Sequence, residues 1–275
     1  MTFIKKIWYG VVFFCLGGVI FSQHRNFMYE HVYIPDSTQK VNTISEVMVL
    51  SVDEKKSEYY SYERYVSDST IAADRKKGIL DTYSKKKNNP DRVIKYTGTK
   101  NVKWATPVSA DWYLVNDQRT MQWVLFPEFS KIQGLKVQKA TTGFAGRQWT
   151  AWFTKDIPIQ DGPYKFRGLP GLILAIEDKG RNHSFELKGI QNVNTDFVYP
   201  DETSYHFIEI SQPQYVKLYR DFRENPVARW IGIMGDQINA SGKKRTAQEV
   251  LRDMEIMEKE RLKKDNNPIE LDLLP

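Results

Sequence analysis

Between residues 92 and 190 the chain leaves no segment where a helix of crossover length would fit. Strand signals follow one another at 92–96, 102–105, 112–115, 120–126, 134–140, 147–153, 172–177 and 183–190, each rich in β-branched or aromatic residues. Parallel neighbours need connections of a dozen or more residues, so these strands are expected to pair antiparallel. Asn116-Asp117-Gln118-Arg119 is turn-like and predicts a hairpin between 112–115 and 120–126. The fold class that follows is mainly β with flanking helices (α+β): a curved antiparallel sheet or half-barrel with helices against one face.

Earlier in the chain, 29–34 and 40–52 read as strands. Val47 and Val49 point one way and Met48, Leu50 and Val52 the other, so both faces of the second strand are apolar. A further strand is expected over 58–66, with Tyr60, Tyr62 and Val66 on one side. Asp68 or Ser69 would cap a helix carrying Ile71, Ala72, Ile79, Leu80 and Tyr83, stopped by Asn88-Asn89-Pro90. Its basic runs at 75–77 and 85–87 read as a solvated face. After Pro200 the pattern turns helical. Ser211-Gln212-Pro213 opens a helix with Tyr215, Leu218, Tyr219 and Phe222 at helical spacing, and Asn225-Pro226 closes it. Thr246 and Glu249 form a capping box for a longer helix to about Lys264, whose stripe of Val250, Leu251, Met254 and Met257 is expected to pack on the core.

Lys5 and Lys6 precede an uncharged stretch from Ile7 to Phe21, closed by Ser22-Gln23. Two cations followed by a short apolar run match a secretory leader, and the run falls short of the roughly 20 residues that a membrane-spanning helix needs. The expected organisation is a leader over 1–22, one β-rich domain over 23–240, and a C-terminal helix and tail over 241–275. Cys15 lies inside the apolar run and is followed by Leu16, which does not fit a lipidation site. It is the chain's single cysteine, so a cleaved protein has no thiol to mispair in an oxidising compartment. Its net charge would be about +4, too mild to support nucleic-acid binding.

The most distinctive stretch runs from Gln148 to Leu174. Pro158 and Pro163 fix φ in the loop, and Leu169-Pro170-Gly171-Leu172 places proline and glycine where a type II turn wants them. Gly168 to Ile173 spells Gly-Leu-Pro-Gly-Leu-Ile. Together with Trp149 and Trp152, Asp156-Ile157-Pro158, Gly162-Pro163-Tyr164-Lys165-Phe166, Ser184-Phe185-Glu186-Leu187 and the ending Asn266 to Leu271, it resembles the GLPGLI family. The resemblance covers most of the chain beyond the leader. It implies an exported protein of Gram-negative bacteria and carries no established activity. The layout is also similar, more faintly, to lipoprotein carriers with a curved half-barrel sheet, an analogy that bears on the fold alone.

Chemistry is sparse in the sequence. No Gly-x-Ser-x-Gly motif occurs, no phosphate-binding loop is complete, and His24, His31, His183 and His206 are isolated along the chain, although folding can bring two of them together. No catalytic residue, metal or cofactor is therefore assigned. Trp149, Trp152, Tyr164 and Phe166 are the candidate ligand-binding side chains, set against the alternative that such rings fill the core. Pro158, Gly162, Pro163, Gly168, Leu169, Pro170 and Gly171 are the structural frame of the loop. The expected function is an exported, periplasmic or secreted, non-enzymatic binding protein of the envelope that holds an apolar small molecule or a protein partner, with no nucleic acid, no membrane span after cleavage and no oligomeric state assigned. Its rivals are an envelope hydrolase using Asp156 or Asp161 and a structural interaction module.

Overall fold

A computed structural model describes residues 24–79, 89–193, 199–200, 206–238 and 242–275. The expected leader and part of the first helix (Leu80 to Asn88) lie outside these residues. The strands are β1 His24–Tyr33, β2 Ile44–Val52, β3 Lys56–Ser61, β4 Arg92–Tyr96, β5 Val102–Val108, β6 Asp111–Asp117, β7 Val124–Ile132, β8 Leu135–Phe144, β9 Arg147–Thr154, β10 Leu172–Asp178, β11 His183–Val193 and β12 Phe207–Ser211. They form one sheet in the order β12-β6-β5-β4-β3-β2-β1-β11-β10-β9-β8-β7. A separate two-stranded ribbon pairs β13 Gln237–Ile238 with β14 Lys244–Arg245. The helices are α1 Tyr62–Lys76, α2 Gln212–Glu224 and α3 Ala247–Lys264.

The sheet is mostly antiparallel and strongly curved. β6 is second from one edge and β7 forms the other edge, yet only residues 118–123 separate them. Laid flat, ten inter-strand steps of about 4.8 Å would put them roughly 48 Å apart. Six residues and their flanks reach about 24 Å at most. The sheet therefore curls until its two ends approach, while the edges stay unjoined by a ladder. Tight turns accommodate the curl. Gln133-Gly134 and Ala145-Gly146 each place two residues at positive φ (50° and 80°, 52° and 79°), the geometry whose twist matches antiparallel strands.

Four expectations need correction. The hairpin between 112–115 and 120–126 does not form, because β6 pairs with β5 and β7 with β8. Asp117 and Arg119, read as turn residues, are instead held in a buried ion cluster that carries the chain across the sheet's open side. Next, β12 pairs parallel with β6. The connection between them contains β7 to β11, so strands of the sheet itself serve as the crossover. Strand β3 ends at Ser61, whose side chain caps α1 by accepting from the Arg64 N–H, which moves the helix cap seven residues upstream of Asp68, the earlier of the two expected caps. Finally, the helices occupy both faces. Met48 and Leu50 join the main core with Tyr215 of α2, while Val49 and Tyr60 on the opposite face pack with Tyr65 of α1 and with Tyr199.

The Leu-Pro-Gly corner also differs from a type II turn. The Gly171 N–H donates to Leu169 O at 2.8 Å, closing a three-residue turn on Pro170, and the Leu172 N–H donates across the loop to Ile157 O at 3.1 Å. Gly171 sits at φ +149°, and a Cβ there would lie 1.9 Å from Thr154 O. Glycine is required here because two backbones touch. The C-terminal helix begins as expected with its Thr246–Glu249 capping box, and Val250 is buried, but Met257 is 71% exposed.

Candidate functional site

The concave face of the sheet carries a solvent-connected cavity of about 520 Å³. Its floor is built from the ends of β1 (His31, Tyr33), β11 (His183) and β5 (Trp104, Thr106, Val108), with Asp91 just before β4. Tyr215, Tyr219 and Phe222 of α2 and the segment from Glu258 to Leu273 cover it. Alternation in β1 turns Tyr29, His31 and Tyr33 to one face. Two of the four histidines do meet: His31 Nε2 lies 3.3 Å from His183 Nδ1.

The hydrogen bonds fix the protons of this pair. His183 Nε2 faces the carbonyl of Asn267 at 2.8 Å. A carbonyl only accepts, so Nε2 of His183 carries hydrogen and its Nδ1 is an acceptor. The Nε2–H of His31 donates to it, which leaves His31 Nδ1 as a bare lone pair. That atom is buried and has no hydrogen-bond partner. Burial, reinforced by the neighbouring His183, holds the His31 imidazole well below its ordinary value, and burial together with Arg147 pushes His183 down to about 4. Both rings are neutral near pH 7. His31 is also sandwiched in aromatic contacts, 4.1 Å from the Phe185 ring and 4.7 Å from that of Tyr33.

Asp91 is the second unusual group. Burial raises its carboxyl from 3.8 to about 6, an effect only partly relieved by Thr106, the charge of Lys165 and Trp104. Among the described residues no lysine or arginine forms an ion pair with it. The Trp104 indole N–H, also buried, is turned towards this carboxylate without closing a hydrogen bond.

Beneath the cavity lies a buried ion cluster. Lys165 Nζ donates to Glu270 Oε1 at 2.6 Å and Asp117 Oδ2 at 3.0 Å, and lies 3.9 Å from the centre of the Trp104 ring. Arg119 bridges the same two carboxylates at 2.6 and 2.7 Å and reaches Asp272 at 3.0 Å. The Tyr164 hydroxyl donates to Glu270 Oε1 at 2.8 Å. Burial alone would raise Asp117 and Glu270; the bonds to Arg119 and the charge of Lys165 outweigh it, holding Asp117 near 2 and Glu270 below its usual value. This cluster joins β6, the distinctive loop and the C-terminal tail. It also separates the large cavity from a smaller one of about 210 Å³, lined by Lys100, Arg119, Lys165, Arg167 and Gly168 among others.

The residues singled out from sequence scatter across this architecture. Tyr164 lines the large cavity. Trp149 and Phe166 are buried in the core, their rings 4.6 Å apart, and the Trp149 N–H donates to Phe144 O at 3.1 Å. Trp152 is half-buried beside that core. Asp161 caps the Gly162 N–H at 2.7 Å, accepts from Ser57 Oγ at 2.5 Å and pairs with Lys95, fastening the loop to β3 and β4. Asp156 is exposed, and its backbone N–H donates to Thr154 Oγ1 at 3.2 Å. Gly162 and Pro163 are buried beneath the loop; Pro158, Gly168 and Pro170 lie on its outside. Asp91, Trp104, Tyr215 and Glu270 were not recognised as site residues. The only trace in the sequence was the polar Asn266 to Leu271 ending, in which Asn267 and Glu270 are buried here. No group of three or more metal-ligating side chains occurs among the described residues.

Comparison with known proteins returns a match between residues 50–175 and a family model described as "Protein of unknown function (Porph_ging)". No curated protein matches. Two structures of PNGF-II, solved in space groups P21 and C2, are similar in fold, with TM-scores of 0.49 and 0.48 and 15% and 14% identity. Each alignment covers 72% of this chain, whereas this chain spans only about a third of theirs, 33% and 32%.

Proposed function

We propose that this chain, whose residues 50–175 match the model of that uncharacterised family, is an exported, non-enzymatic binding protein that holds a small organic molecule in the 520 Å³ cavity. The observation that carries this reading is His31 Nδ1, a buried lone pair without a donor on the cavity floor. Buried acceptors are paired as a rule, and one that is not suits a ligand group that completes it. The volume falls in the range of ordinary ligand sites. Rings of Trp104, Tyr164, Tyr215 and Tyr219 provide flat apolar walls, and the buried ion cluster fixes their positions. This lining suits a molecule of mixed polar and apolar character better than a purely aliphatic one. Export is supported by the leader pattern of residues 1–22; among the described residues no helix is long and apolar enough to cross a membrane.

Native mass spectrometry of the folded protein after exposure to a small-molecule extract tests the reading. A discrete adduct in the original chain, lost when Val108→Phe fills the cavity, is expected. Adducts that persist in that variant would place binding elsewhere. A protein partner is the second reading, favoured by Ile231, Ile233 and Ile238, which are 62%, 69% and 75% exposed. Replacing all three with serine should abolish such docking and leave small-molecule binding unchanged.

A further inference from the structure

Resting on the cavity reading, we propose that the molecule held there is a protonated organic amine, its ammonium group shared between the Asp91 carboxylate and His31 Nδ1. The inference follows from which partners the cavity lacks. His31 Nδ1 is an acceptor by the tautomer of the histidine pair; the residue is 2% exposed and this atom has no donor. Asp91 is an acceptor of negative charge, with no cation at ion-pair distance among the described residues. Both residues line the same cavity, as does Tyr33, whose ring lies 4.7 Å from that of His31.

The other charged groups lining the cavity each have an ion-pair partner. Glu270 is neutralised by Lys165 and Arg119, and Arg261 at the rim pairs with Glu258 at 2.7 Å and faces Asp265 at 3.7 Å. What remains is one anion without a protein cation, one lone pair without a protein donor, and the Trp104 N–H turned towards that anion. An ammonium supplies N–H donors to the anion and the lone pair, and a charge to the first. Its organic remainder would lie against the aromatic walls, which also favour a cation. A carboxylate ligand would face Asp91 with like charge, and a neutral alcohol would leave that charge unpaired.

The groups acting on Asp91 come from every side: Tyr33 on β1, Trp104 and Thr106 on β5, Tyr164 and Lys165 in the loop, Tyr215 on α2 and Glu270 in the tail. Burial keeps the two histidines neutral above pH 5 and holds the tyrosines protonated up to pH 8, while Glu270, held below its usual value, remains ionised. Asp91, held at about 6, changes its charge between pH 5 and 8.

Three ligands that share a phenol ring and differ at the other end provide the test by calorimetric titration: tyramine (cation), 4-ethylphenol (neutral) and 4-hydroxyphenylacetate (anion). At pH 8 tyramine is expected to bind at least tenfold tighter than the other two. Its affinity should fall about tenfold at pH 5, as a carboxyl near 6 takes up its proton. Asp91→Asn, whose folding is verified by its thermal transition, should abolish both the preference and the pH dependence. Equal or tighter binding of the neutral or anionic compound, or a tyramine preference that survives in Asp91→Asn, would overturn the amine inference while the cavity reading stands. Binding of none of the three also overturns it, and the extract experiment then decides the cavity reading separately.

Discussion

Replacing Asp91 with asparagine should stabilise the protein, an unusual outcome for a substitution on the wall of a cavity. The folded state raises this carboxyl from 3.8 to about 6, chiefly through burial. A raised acid binds its proton more tightly when folded, so its contribution to stability is greatest below pH 4 and declines as pH climbs to 6. Above pH 6 the ionised form costs roughly 3 kcal/mol, the free-energy equivalent of that displacement. Asparagine keeps the size and polarity of the side chain and removes the charge. Allowing for imperfect amide contacts, a gain of about 2 kcal/mol at pH 8 is expected. For a chain of this length that corresponds to roughly 4–8 °C in Tm. Differential scanning calorimetry of both proteins at pH 8 and pH 4 is the assay. The variant should melt higher at pH 8 and match the original at pH 4. Acid loss of stability from His183, neutral when folded and held near 4, affects both proteins and cancels in the comparison. A lower Tm for Asp91→Asn at pH 8, or the same difference at both pH values, would refute the reasoning. A costly ionised carboxylate on a cavity wall is what a binding site retains when a ligand needs the charge.

Further predictions concern the frame of the site. Gly171→Ala drives a Cβ into Thr154 O and should cost more than about 3 kcal/mol or abolish soluble protein, whereas Gly168→Ala, at φ +95° with its nearest neighbour 3.9 Å away, should cost about 1 kcal/mol; equal losses in urea unfolding would contradict the close-approach argument. Lys165→Met leaves Asp117 and Glu270 sharing Arg119 alone and should cost roughly 3–5 kcal/mol. Lys165→Met combined with Glu270→Met should be milder than the sum of the two single changes by more than about 1 kcal/mol, and strict additivity would mean that the ion cluster does not act as a unit.

Much of the sheet was legible because its strands are β-branched and aromatic runs cut by turn residues, and short spacing excludes crossovers. What was hidden depended on distant partners. Asp117 and Arg119 look like turn residues locally, and only Glu270, some 150 residues on, reveals them as a buried cluster. The start of α1 at Ser61 was obscured because Tyr62, Tyr65 and Val66 suit a strand as well as a helix. The parallel edge strand β12 was invisible because the rest of the sheet supplies its crossover. The site divides in the same way. Tyr164 was reachable from its rigid loop, and the meeting of two histidines was an open possibility. Asp91 next to Pro90 read as the end of a helix, and nothing nearby hinted that Trp104, Tyr215 and the tail converge on it.

The central claim, that the concave cavity is a small-molecule site, is tested most directly by native mass spectrometry of the original chain and Val108→Phe side by side after exposure to the same extract. A defined adduct on the first that disappears from the equally well folded second is the predicted result. No adduct on either, or identical adducts on both, would contradict it.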